Sequence, residues 1–175
     1  YWDLSNLVDE SDPYNIKRVK VVDAGNSAGR IIFIDNQNYN NGIQLNQING
    51  PESDLPVTFI FSALKPVVLT GTITGNVRMF FAGDFQFGMG TETVAYNGLT
   101  MFMSNGDMNI CGSIWSDKNN PGGGFLSSDK DITIVESASF KGQIQCRGNF
   151  KTSGLIQFND SVLKAPGFTV PKGMK

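Results

Sequence analysis

The feature that most limits how this chain can fold is a short phrase written four times: a small or charged residue, an acid or amide, an apolar residue, a spacer, and usually a second apolar residue. The copies are Gly83-Asp84-Phe85-Gln86-Phe87, Gly106-Asp107-Met108-Asn109-Ile110, Lys130-Asp131-Ile132-Thr133-Ile134 and the weaker Gly148-Asn149-Phe150-Lys151-Thr152. Their first apolar residues, Phe85, Met108, Ile132 and Phe150, are 23, 24 and 18 positions apart. A strand this short cannot bury one face by itself. A unit recurring at about 20 residues must therefore complete its core against a stacked neighbour. The expected class is all-β, folded as a β-solenoid of stacked coils with an N-terminal cap; a β-sandwich is the alternative.

Two longer stretches support the period of two that strands require. Leu69, Gly71, Ile73, Gly75, Val77 and Met79 share one parity, opposite Thr70, Thr72, Thr74, Asn76 and Arg78. Phe140, Gly142, Ile144, Cys146, Gly148 and Phe150 repeat the arrangement, opposite Lys141, Gln143, Gln145, Arg147, Asn149 and Lys151. Both rows are expected to face inward, within at least four coils spanning residues 67–158. Glycine on a core parity is unsuited to a sandwich but fits a coil that passes close to its neighbours. Gly71 and Gly142 are thus expected to be buried or at corners, where a leucine would overpack.

Composition agrees with this reading. Only 17% of residues are charged and 20 of 175 are glycine, as short strands joined by tight turns require. Pro66 marks the clearest boundary, because it removes a backbone donor and biases Lys65 toward extended backbone. The division is a cap with the first strands over residues 1–65, with Trp2, Leu4 and Leu7 as an apolar plug, and a repeat body over 66–175. Within the body, residues 116–128 read as an extruded loop around Asn119 to Gly124. Phe168 to Val170 offer little to close the far end, so the expected molecule is sealed at its N-terminal end and more open at the other.

Most catalytic chemistry has no residues to build on. With no histidine, the Ser/His/Asp and Cys/His catalysts and most zinc sites are excluded. Gly25-x-x-x-Gly29 lacks the Lys-Ser/Thr of a phosphate loop. A net charge of -2 without a basic run argues against nucleic acid. Lys17, Arg18 and Lys20 read as a solvated strand edge. There is no twenty-residue apolar run, so no membrane insertion is expected. No signal peptide pattern opens the chain, and its start at Tyr1-Trp2 fits removal of an export segment, a propeptide or a further domain.

What remains is a carboxylate ladder, a loop and two thiols. Asp84, Asp107 and Asp131 occupy equivalent repeat positions and line up along one edge of a solenoid. Capping of turns is the expected role, with a polysaccharide-cleaving groove or a calcium site as alternatives. Trp115, Asn119, Asn120 and Phe125 form the candidate partner-binding loop. Cys111 and Cys146 either form one bridge or stay free, with Cys146 expected indoors. No catalytic residue, metal or cofactor is assigned.

The Leu69 to Met79 row, the Phe140 to Phe150 row and the Gly/Lys-Asp-apolar starts resemble β-solenoid proteins, including the bactofilin filaments and the solenoid regions of pilus-associated, pilin-like proteins. A bactofilin-like relation implies end-to-end polymerisation; a pilus-associated one implies display at a fibre tip or cell surface. The expected function is a non-enzymatic structural, assembly or adhesion module of an exported surface, fibre or matrix protein, extracellular or on the cell surface. Its partners would be other proteins or copies of itself. The alternative is a polysaccharide-binding or polysaccharide-cleaving β-helix.

Overall fold

The computed structural model describes residues 17–37, 41–89, 96–97, 99–114, 123–135 and 138–158. Among them it holds strands and no helix: β1 (Lys17–Asp23), β2 (Ile31–Ile34), β3 (Ile43–Asn49), β4 (Val57–Phe61), β5 (Val67–Leu69), β6 (Ile73–Thr74), β7 (Val77–Phe81), β8 (Phe85–Phe87), β9 (Tyr96–Asn97), β10 (Leu99–Ser104), β11 (Met108–Ile110), β12 (Gly123–Ser128), β13 (Ile132–Ile134), β14 (Ser139–Cys146), β15 (Phe150–Thr152) and β16 (Leu155–Phe158).

Successive strands pass back and forth between two sheets. One runs β2-β4-β7-β10-β12-β14-β16; the other runs β3-β5-β8-β11-β13-β15, extended by β1, β6 and β9. Every pairing between these strands is parallel. A chain that alternates sheets while pairing each strand in parallel with the one a turn earlier is a solenoid. Greek-key sandwich connections are excluded. The registers Phe85↔Met108, Met108↔Ile132 and Ile132↔Phe150 are the spacings of the repeated phrase.

The core lies between the sheets as columns of like residues. From one sheet come Ile32, Phe59, Met79, Phe102, Leu126 and Ile144; from the other, Leu45, Leu69, Phe87, Ile110 and Ile134. Phe102 is fully buried, with its ring centroid 4.7 Å from that of Phe85 and 5.6 Å from that of Phe87. Phe81 stacks on Phe85 at 4.0 Å. Such ring pairs add about 0.5–1.5 kcal/mol beyond their buried area, and here they join the two sheets across the layer.

The first strands before Pro66, β1 to β4, pair within the same sheets as the strands after it. Two expectations are revised. Residues 123–128 are not loop but β12, held between β10 and β14. Glycine serves there because a side chain at Gly124 would run into the Phe140 ring, 2.8 Å from an ideal Cβ. The Leu69 to Met79 row does point inward, but it bends through β5, β6 and β7 across two sheets instead of forming one strand. In the Phe140 to Phe150 row the chain turns after Cys146, and burial fades toward a 40% exposed Phe150. Trp2, Leu4, Leu7 and Phe168 to Val170 lie outside the described residues.

One buried polar residue fastens the corner between β4 and β5. Asn36 is fully buried; its Oδ1 accepts the Ala63 N–H at 2.8 Å, while Nδ2 donates to the carbonyls of Ala63 at 3.4 Å and Lys65 at 3.5 Å. A backbone that leaves the sheets between β4 and β5 thereby recovers partners it would otherwise lack.

Candidate functional site

The recurring aspartates sit where the chain turns from the first sheet into the second. Each corner is a tetrapeptide, Ser104-Asn105-Gly106-Asp107 or Ser128-Asp129-Lys130-Asp131, with Phe81 and Cys146 in the serine position of the coils before and after. The serine is the last inward residue of its strand. Ser104 Oγ donates to the Gly83 carbonyl at 2.7 Å and accepts the Gly106 N–H at 2.9 Å. Ser128 Oγ repeats this with the Gly106 carbonyl at 2.7 Å and the Lys130 N–H at 2.9 Å.

The aspartates work in the opposite direction along the stack. Asp84 Oδ1 accepts the Asp107 N–H at 2.9 Å, Asp107 Oδ1 that of Asp131 at 3.2 Å, and Asp131 Oδ1 that of Asn149 at 2.8 Å. Asp84, Asp107 and Asp131 therefore stand in one column, and each carboxylate holds down the backbone of the next coil. Asn149 also donates its side-chain amide to Asp131 at 3.3 Å. These bonds to the charged form, the backbone one foremost, hold the Asp131 carboxyl below the usual carboxylate range; Lys151 adds to the effect and desolvation opposes it. Among the described residues, no group of three or more His, Cys, Asp or Glu is arranged to hold a metal ion.

The serine is the functional element that the sequence reading missed. Its signal was available three residues before Asp107 and Asp131. Phe81 and Cys146 at the flanking copies hid it.

The other candidates are dispersed. Phe125 lies in β12, 7% exposed, against Met101 and Met103 in a small apolar cluster separate from the main core. It is not a loop residue; Trp115, Asn119 and Asn120 lie outside the described residues. Cys111 and Cys146 form no disulfide with each other. No bridge joins them because Cys111 follows β11 in one sheet, whereas Cys146 ends β14 in the other. Cys146 is half-buried, its thiol 3.6 Å from the Gly148 carbonyl.

The outer faces of the two sheets differ. On one, Gln44, Val68, Gln86, Asn109, Thr133 and Lys151 form a largely polar column. On the other, Phe33, Ile60, Phe80 and Met103 form an apolar column that ends in Ser127 and Gln145. A shallow groove of about 300 Å³ follows this column along the corner, with Ile60, Phe80 and Met103 on its apolar side and Asn105, Ser127 and Asp129 on its polar side.

Among the described residues, Phe150, Leu155 and Phe158 near the end of the stack are 40%, 61% and 67% exposed, and Val21, Ile31 and Phe33 of the first strands are 39%, 62% and 44% exposed. No protein-family model matches the chain, and no curated protein or solved structure gives a significant match.

Proposed function

We propose that this chain is a non-enzymatic structural module that acts through assembly or adhesion in an exported surface, fibre or matrix protein. The observation that carries this reading is the use made of the recurring acid: Asp84, Asp107 and Asp131 each fasten one coil to the next through a carboxylate oxygen. A carboxylate pair for glycoside hydrolysis would instead face across a scissile bond, one member as acid and the other as nucleophile or base. Low charge and a rigid parallel stack add support.

The test has two arms. Antibody labelling or protease treatment of intact source cells is expected to reach the protein, and a polysaccharide panel is expected to yield no released product. Turnover that disappears in Asp84→Asn or Asp107→Asn would overturn the proposal, as would a protein confined to the cell interior.

A second reading, binding of a polysaccharide without cleavage, draws on the groove beside Phe80. That groove combines an aromatic side chain with an amide and a carboxylate, the mixture of apolar face and hydrogen-bonding rim that suits a sugar ring. A glycan array on the chain and on Phe80→Ala tests it: a ligand retained by the first and lost by the second would support it.

A further inference from the structure

The outer face of the first sheet carries a cation that its own chain leaves unanswered. Arg78 stands two residues before Phe80 in β7, so both side chains point away from the core. Arg78 lies between Thr58 of β4 and Met101 of β10, and Phe80 between Ile60 and Met103 of the same strands. The position is interior to the stack, with β4 and β2 on one side of β7 and β10 and β12 on the other. Arg78 is half-buried, and its Nε is closed off from water without a hydrogen-bond partner. Among the described residues, no acid forms an ion pair with it. The guanidinium cannot escape by losing its proton. A buried donor in this condition points to an acceptor from outside the chain.

The surroundings set what that acceptor can be. Among the described outward side chains of β2, β4, β7, β10 and β12 there is no acid, and Lys141 of β14 adds a second cation to the same face. The carboxylate on the rim of the neighbouring groove, Asp129, is held by Arg147 at 3.4 Å. Charge complementarity therefore favours an anion. The body of the ligand must suit Ile60, Phe80 and Met103 on one side and Asn105 and Ser127 on the other, which calls for apolar faces beside hydrogen-bonding groups. The groove is shallow, about 300 Å³, and follows successive coils, so it fits a linear chain lying along the stack better than one compact molecule. Sugar rings joined in a polymer have this character. Their negative charge is carried by carboxylate or sulfate, and the planar guanidinium takes such oxyanions through paired N–H donors.

We propose that the outer face around Arg78 and Phe80 binds an anionic polysaccharide, with the guanidinium on a carboxylate or sulfate and the Phe80 ring against a sugar face. The proposal deepens the polysaccharide-binding reading of the groove and rests on it.

The experiment is affinity electrophoresis of the whole chain through gels holding polygalacturonate, dextran sulfate or uncharged dextran. The two anionic polymers separate the carboxylate source from the sulfate source. At least one of them is expected to retard the chain, more weakly as salt rises, while dextran does not. Arg78→Gln and Phe80→Ala are each expected to weaken retention by about tenfold or more, with melting temperatures showing that the fold is kept. Arg78→Lys should fall between, because it keeps the charge and loses the paired donors. Lys151→Gln removes the same charge from the outer face of the other sheet and is expected to leave retention unchanged. The proposal is overturned by retention that survives Arg78→Gln, by an equal loss in Lys151→Gln, by dextran holding the chain as well as the anionic polymers do, or by no retention on either anionic polymer. A neutral glycan held on the array and lost in Phe80→Ala, with both anionic polymers ignored, would remove this proposal and leave the reading beneath it. An empty array together with unretarded gels would remove both.

Discussion

Replacing Gly71 or Gly142 by alanine tests how tightly the coils are stacked. Gly71 lies in the bend between β5 and β6, and a Cβ there would fall on the backbone carbonyl of Asn46 in the coil below, 2.6 Å from its carbon. At Gly142, with φ of 153°, it would fall on the Gly124 carbonyl, 2.8 Å from its carbon and 2.9 Å from its nitrogen. Both obstacles are main chain, which cannot rotate aside, and neighbouring strands stand only about 4.8 Å apart. One methyl group is therefore enough to force the coils to separate locally. Overpacking of this kind costs about 1–3 kcal/mol, which for a chain of this size lowers the melting temperature by about 2–12 °C. The control is Gly25→Ala, whose Cβ would meet only Asp23 Oδ1 at 3.5 Å; its effect should stay within about 0.5 kcal/mol. Equilibrium urea unfolding reads the difference as a lower midpoint at constant slope. Midpoints for Gly71→Ala and Gly142→Ala that coincide with that of Gly25→Ala would refute the reasoning.

Three further outcomes are expected. Phe102→Ala removes the ring packed on Phe85 and Phe87 and should cost about 3–5 kcal/mol in the same urea assay, against little for Phe33→Ala on the outer face, where the ring is 44% exposed. Asn36→Ala leaves the Ala63 N–H without its 2.8 Å acceptor in a buried site and should cost about 1–3 kcal/mol, whereas a melting curve matching wild type would remove Asn36 from its fastening role. For Asp131 the sign follows from its lowered folded pKa. Its contribution is complete above the unfolded carboxylate value of about 3.9, and it is lost as pH falls through the folded value. Melting temperatures across an acid series should therefore drop more steeply for wild type than for Asp131→Asn, and parallel curves would show that the carboxylate adds nothing.

The solenoid was legible because its repeated phrase combines the strand alternation with the corner acid. The spacings of Phe85, Met108, Ile132 and Phe150 are the pairing registers themselves. The early coils escaped that reading because they are longer and irregular and lack the repeated phrase: Phe33 pairs with Ile60 across 27 residues. β12 was concealed by Gly123 and Gly124, which signal a break from sequence alone, although Gly124 here makes room for Phe140. The aspartate column could be aligned from sequence. Its bonding could not, because spacing does not reveal that each carboxylate reaches an N–H one coil further on.

Because neighbouring coils are joined by hydrogen bonds that run along the stack, the molecule should answer tension differently by direction. Force applied to one chain end peels the terminal coil and loads only the bonds of that coil, while force across the stack loads every rung together. Each peeled coil, at 18 to 24 residues between Phe85, Met108, Ile132 and Phe150, releases about 60–85 Å of extended chain from a layer about 4.8 Å thick. A fibre containing such units would yield in discrete steps, giving up length coil by coil while the coils beneath stay folded.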